Sequence, residues 1–189
     1  MHRPKRKRIS STNIVNSELV LMQQDDKAYV PNSSSDFAKK IKVYDETLNI
    51  EIWIDKHYQN RSYHGSDDGS KRNGIEYRNI EPLLIKSFKH LLYYSLKHKY
   101  FVFINHPPNK VYNIRLVLKQ LVSPDLFLNA VVEYHFVDLK TIEVTIVTAL
   151  LKDKFIFSEG QFGIEFEDDS STLLQFKNRK FEQHDTFFI

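Results

Sequence analysis

Residues 127–151 constrain the fold more than any other part of the chain. Two apolar arms, 127–137 and 141–151, flank a short break at Asp138-Leu139-Lys140, the pattern of a hairpin. The second arm is dense in side chains branched at Cβ: Thr141, Ile142, Val144, Thr145, Ile146, Val147 and Thr148. Such side chains lose rotamer freedom in a helix and pack well on a pleated surface. A sheet is therefore required.

Further strands follow from the same reasoning. Leu48, Ile50, Ile52 and Ile54 alternate with Asn49, Glu51, Trp53 and Asp55, a period of two that gives a strand one buried face. Residues 100–104, 155–157 and 162–166 are shorter candidates, and 111–121 fits strand and helix equally. One helix is expected from about Glu81, with Pro82 in its first turn, where a missing N–H is tolerated. Leu84, Phe88, Leu91, Leu92 and Ser95 step by three and four along it, while Lys86, Lys89, His90 and Lys97 fall largely on other faces. It should end around His98-Lys99. The expected fold class is α+β, with short N-terminal helical segments packed on a twisted antiparallel sheet.

A chain of 189 residues with 41% hydrophobic content suits one core-bearing domain, expected over 37–189. Residues 1–36 are polar and weakly patterned, a basic and largely extended arm that closes in the linker-like Asn32-Ser33-Ser34-Ser35-Asp36. The absence of cysteine excludes disulfide scaffolds, thiol nucleophiles and cysteine-ligated zinc. The five glycines assemble neither GxGxxG nor GxxxxGK[ST], which removes P-loop hydrolysis and dinucleotide redox chemistry. No cofactor is expected. No apolar run reaches the roughly 18 residues of a membrane helix, and no apolar signal core follows the basic block, so no membrane contact and a cytoplasmic location are expected.

Net charge is only +3, but its placement is uneven. Arg3, Lys5, Arg6, Lys7 and Arg8 put five cations within six positions. Such a cluster attracts phosphate by counterion release, and with Lys71 and Arg78 it forms the expected nucleic-acid contact, RNA being the favoured partner. The same block also fits a solvated tail. Glu165, Glu167, Asp168 and Asp169 gather late in the chain, as solvated surface or as a contact for a protein partner or inhibitor.

The chemistry-bearing residues cluster after the first alternating strand. His57 and Arg61 are four apart, with His64, Lys71, Arg72 and Arg78 following. RNA can be cut without a metal when one group removes the 2′-hydroxyl proton, another protonates the leaving 5′-oxygen, and cations hold the phosphate. Histidine titrates near neutrality and arginine donates paired hydrogen bonds to phosphate, so these residue types fit that mechanism. His57, His64, Asp67 and Asp68 match no metal-ligand spacing, and no metal is expected. Tyr93, Tyr94, Tyr100, Phe101 and Phe103 can stack on bases, although core packing is the expected role of Phe101 and Phe103.

The order of these elements resembles the barnase–EndoU–colicin–RelE superfamily of metal-independent ribonucleases, in particular its phage-associated and toxin-type members. The pieces that carry the resemblance are Ile50-Glu51-Ile52-Trp53-Ile54, His57 with Arg61, Arg72-Asn73-Gly74-Ile75, Ile80-Glu81-Pro82-Leu83-Leu84, and Ile142 to Thr148. They span about 48–150, with a polar insertion separating the two arginine positions. The resemblance implies an endoribonuclease in which His57 acts as general acid or base and Arg61 and Arg72 hold the scissile phosphate. Thr145 or Thr148 would hydrogen-bond phosphate or substrate. The adjacent hairpin arm offers Tyr134 and His135 as the second proton-transfer group; alternation puts them on opposite faces, so one of the two faces the cleft, and His135 is taken as the candidate. The alternative is a non-catalytic binding or assembly protein with the same fold.

Overall fold

Among the described residues, alternation and helical periodicity become one large sheet with a long helix laid across it. The computed structural model describes residues 7–13, 48–55, 58, 75–106 and 113–188, the first segment as backbone alone. In chain order the elements are β1 (Lys7–Asn13), β2 (Asn49–Ile54), α1 (Tyr77–Lys97), β3 (Ile104–Asn105), β4 (Leu116–Ser123), β5 (Leu126–Asp138), β6 (Thr141–Leu151), β7 (Phe162–Glu167), β8 (Ser170–Lys177) and β9 (Lys180–Phe188). The nine strands form one sheet in the order β1-β2-β6-β5-β4-β7-β8-β9, with β3 also paired to β5.

This corrects the expected fold class in two respects. The sheet is mixed, because β2–β6, β3–β5 and β4–β7 are parallel pairs. Among the described residues the long helix is α1, not a set of short N-terminal segments, and the described part of the basic arm, Lys7–Asn13, is a strand antiparallel to β2. A period of two reports a strand and its buried face but carries no information about the neighbouring strand. Here α1 and three strands intervene between β2 and β6, so the two can lie side by side in the same direction.

β5 is the spine. One of its edges pairs with β6 throughout, and the other is shared by β4 and β3. Buried Asn105 closes the junction where these two meet. Its Nδ2 donates to the carbonyls of Ile114 (3.1 Å) and Tyr134 (3.0 Å), and its Oδ1 accepts the Ile114 N–H (2.6 Å). Backbone groups left unpaired by the change of partner are thereby satisfied.

α1 begins at Tyr77, earlier than expected, so Pro82 stands inside the helix. Its buried residues are Ile80, Leu83, Leu84, Ser87, Phe88, Leu91, Tyr94 and also His90, expected on another face. Leu92, expected on the buried face, is 41% exposed. The helix covers Ile50 and Ile52 of β2, Val132 and Tyr134 of β5, Ile142, Val144 and Ile146 of β6, Ile164 and Phe166 of β7, and Leu173 of β8, all in one apolar cluster. Phe101 and Phe103 join this core, although 101–103 is not strand. The expected hairpin is present as β5 and β6.

The opposite face holds a small second cluster, Val117, Val131 and Phe157, with Val147, Phe155 and Phe176 packed against it. The segment 155–157 therefore packs on the sheet without joining it. A bulge opposite Val131 and Val132 accounts for Val147: Ile146 and Ala149 both face the main core, leaving Val147 and Thr148 between them. At Gly163 an added Cβ would run into the Phe157 ring and lie 3.2 Å from the Val117 carbonyl. We expect Gly163→Ala to lower stability by about 1–2 kcal/mol, read from urea unfolding, through this overpacking. An unchanged midpoint would mean that the Phe157 ring moves aside at no cost.

The two C-terminal strands β8 and β9 were not anticipated from the sequence. They turn at Asn178 and Arg179, whose φ values of 53° and 61° give a tight hairpin without glycine.

Candidate active site

On β5, Val132 and Tyr134 point into the core, so alternation sends Glu133 and His135 to the other face. Strand register then assembles polar partners around them. Thr145 lies opposite Glu133, and Glu143 opposite His135. Arg115 immediately precedes Leu116, the partner of Val132, and so arrives beside Glu133.

Glu133 is the centre of this group and is only 3% exposed. Its Oε1 accepts from Arg115 Nε (2.9 Å), and its Oε2 from Asn113 Nδ2 (2.7 Å) and His135 Nε2 (3.1 Å). Burial by itself would raise the carboxyl pKa. The hydrogen bonds from His135, Arg115 and Asn113, with the charge of Arg115, outweigh it and hold the pKa at about 2. Glu133 is thus an anion at neutral pH, and an anion only accepts. His135 must therefore carry its proton on Nε2, leaving Nδ1 with no hydrogen-bond partner among the described residues. The Arg115 side chain is 56% exposed, so its guanidinium is anchored at one nitrogen and open to solvent beyond it.

Asn113 and Arg115 also line a pocket of about 600 Å³ at the N-terminal ends of β4 and β7, whose wall includes Tyr100, Val102, Gly160 and Phe162. A volume in this range admits a nucleotide-sized ligand. Tyr100 is half exposed there, with its ring stacked on Phe162 (centroids 6.3 Å, interplanar angle 20°).

Of the residues expected at the site, the structure brings His135 and Thr145 onto this face. Thr145 is buried, with its hydroxyl 3.4 Å from Glu143 Oε1. Thr148 lies beyond the bulge, opposite Val131 beside the small apolar cluster. Arg78 is exposed in the first turn of α1. Lys7 and Arg8 belong to β1. His57, Arg61, Lys71, Arg72, Arg3, Lys5 and Arg6 lie outside the described residues, as do His64, Asp67 and Asp68. Of the late acidic group, Glu165 is paired with Lys119 at 2.6 Å, while Glu167, Asp168 and Asp169 are exposed.

The sequence reading missed Asn113, Arg115 and Glu133. A signal existed for Glu133: a carboxylate two residues from His135 within an apolar strand must share its face. No local signal marked Arg115, which reaches Glu133 only through the β4–β5 pairing. No helix among the described residues is long and apolar enough to cross a membrane. Comparison of the chain with protein-family models, curated proteins and solved structures finds no match.

Proposed function

We propose that the protein acts on RNA and cleaves it without a metal, by attack of a 2′-hydroxyl on the adjacent phosphate. The observation that carries this reading is the buried Glu133 anion, which holds an imidazole and a half-exposed guanidinium together beside a nucleotide-sized pocket. Arg115 supplies a phosphate-binding cation whose orientation is set through Nε, so little side-chain entropy is lost on binding. When His135 is an imidazolium, its second proton sits on Nδ1, available to a leaving 5′-oxygen. Glu133 is a positioning group, since an anion this stable is a poor base. Through the resemblance in element order, His57, Arg61 and Arg72 belong to the same proposal, and the basic block at Arg3–Arg8 adds salt-dependent attraction for the strand.

The test is cleavage of a fluorescent single-stranded RNA in chelator-containing buffer, with binding followed by anisotropy. Arg115→Ala should weaken binding about tenfold, the value of one charge-assisted phosphate contact. His135→Ala should lower the cleavage rate about a hundredfold with binding retained. A folded wild-type protein that neither binds nor cuts RNA ends the proposal. Binding without cleavage would identify a non-catalytic RNA-binding module.

A further inference from the structure

Behind Tyr100, which lines the pocket, stands a second set of proton-transfer groups. α1 is capped by His98, whose N–H closes on the Tyr94 carbonyl, and the Phe101 N–H returns to the His98 carbonyl at 2.9 Å. That turn brings the Tyr100 side chain back over its neighbour, with the Tyr100 hydroxyl 3.1 Å from His98 Nδ1. On the far side of the ring, His98 Nε2 is 2.9 Å from Oδ2 of Asp185 on β9. Asp185 is held in place by Lys97 Nζ at 2.8 Å and by the Thr186 N–H at 3.0 Å. Burial alone would raise its pKa, but the bonds from Lys97 and His98 outweigh that, and the net shift is downward.

With a neutral His98 ring, these contacts set the direction of each proton. An ionised Asp185 accepts only, so neutral His98 carries its hydrogen on Nε2 and presents a lone pair at Nδ1. The Tyr100 hydroxyl therefore donates to Nδ1. A carboxylate orients an imidazole, and the imidazole receives a proton from a hydroxyl, which is the arrangement that activates a weak acid as nucleophile or base. Asp185 and His98 are each 15% exposed, whereas Tyr100 is 50% exposed on the pocket wall. The relay is shielded and its working end is open.

We propose that Tyr100 is the proton-accepting group of this pocket, with His98 and Asp185 as its positioning residues. Its part in RNA cleavage rests on the function proposed above, whereas activation of the phenol does not. As the 2′-oxygen bonds to phosphorus, its proton passes to Tyr100 Oη and the Tyr100 proton passes to His98 Nδ1. The P–O5′ bond breaks, and the departing oxygen takes a proton from His135. Solvent then removes the proton from His98 and returns one to His135.

Two measurements test this. The first is labelling of the full chain with benzenesulfonyl fluoride, mapped by mass spectrometry. The Tyr100 oxygen attacks sulfur, fluoride leaves, and the phenolic proton goes to His98. Tyr100 should react at least about tenfold faster than N-acetyl-tyrosine amide, and His98→Gln and Asp185→Asn should each remove most of that advantage while circular dichroism is unchanged. Labelling at the rate of the free amino acid, or indifferent to both substitutions, overturns the relay. The second is RNA cleavage by Tyr100→Phe, which should lose about a hundredfold in kcat with binding retained. Wild-type kcat in that variant overturns the catalytic role but leaves RNA cleavage standing. Fast labelling of Tyr100 in a protein that cuts no RNA refutes the RNA reading and sustains the activated phenol.

Discussion

Glu133→Gln should lower the free energy of unfolding by about 3 kcal/mol at pH 7, because the folded state lowers this carboxyl from 4.5 to about 2 and each unit is worth roughly 1.4 kcal/mol. Glutamine keeps the shape but turns one accepting oxygen into a donor, which then faces either Arg115 or both Asn113 and His135, donors themselves. A group whose folded pKa is depressed stabilises the fold above its unfolded pKa and loses that contribution as pH falls through the folded value. The gap between wild type and variant should therefore be constant from neutrality down to about pH 4.5 and shrink below it. Urea midpoints measured from pH 7 to pH 3 check this. A gap under 1 kcal/mol at pH 7 would mean that solvent replaces the three donors, and that Arg115 and His135 are not held by this anion.

Lowering the pH from 6.5 to 4 should cost the wild-type protein about 3 kcal/mol of stability through His90 alone, by the same conversion. His90 is fully buried between α1 and the sheet, with edge-on rings of Phe166 and Phe187 at 5.0 and 5.1 Å. Its Nδ1 meets Ser171 Oγ at 2.6 Å, but its Nε2 has no hydrogen-bond partner among the described residues. A protonated ring would bury a charge and an N–H with no acceptor. Burial first, and then the nearby charges of Lys86 and Lys89, bring the pKa down from 6.5 to about 4. The neutral ring is thus the folded form. Stability is complete above the unfolded pKa and falls as the unfolded chain takes up a proton that the native state refuses, until the folded value is reached. His90→Gln should flatten the profile between pH 6.5 and 4.5, above the range in which Glu133 titrates. Parallel profiles for the two proteins over that interval would show that the ring is not held neutral.

These two residues also mark how far a linear reading reaches. His90 was assigned to a face of α1 other than the apolar one, yet it is buried, because β8 and β9 bring Ser171 and Phe187 against it from more than eighty residues away. The turn at Asn178-Arg179 that makes this hairpin has no glycine to announce it. Arg115 and Glu133 meet across 18 positions, and His98 and Asp185 across 87, so neither pair has a spacing that sequence inspection would single out. His135 and Thr145 share a face because both sit on the β5–β6 hairpin, where alternation with the buried Tyr134 and Val144 assigns it.

Local interactions along the chain set the extended arms of β2, β5 and β6, the position of the β5–β6 turn, and an amphipathic α1. These follow from backbone sterics and from apolar side chains recurring at two or at three and four residues, effects that act within a few neighbours. Tertiary structure alone decided which strands run parallel, which side of the sheet takes the helix, and which distant groups share a proton. Those outcomes depend on burial, register and charge pairing, which act between segments only after the chain has brought them into contact.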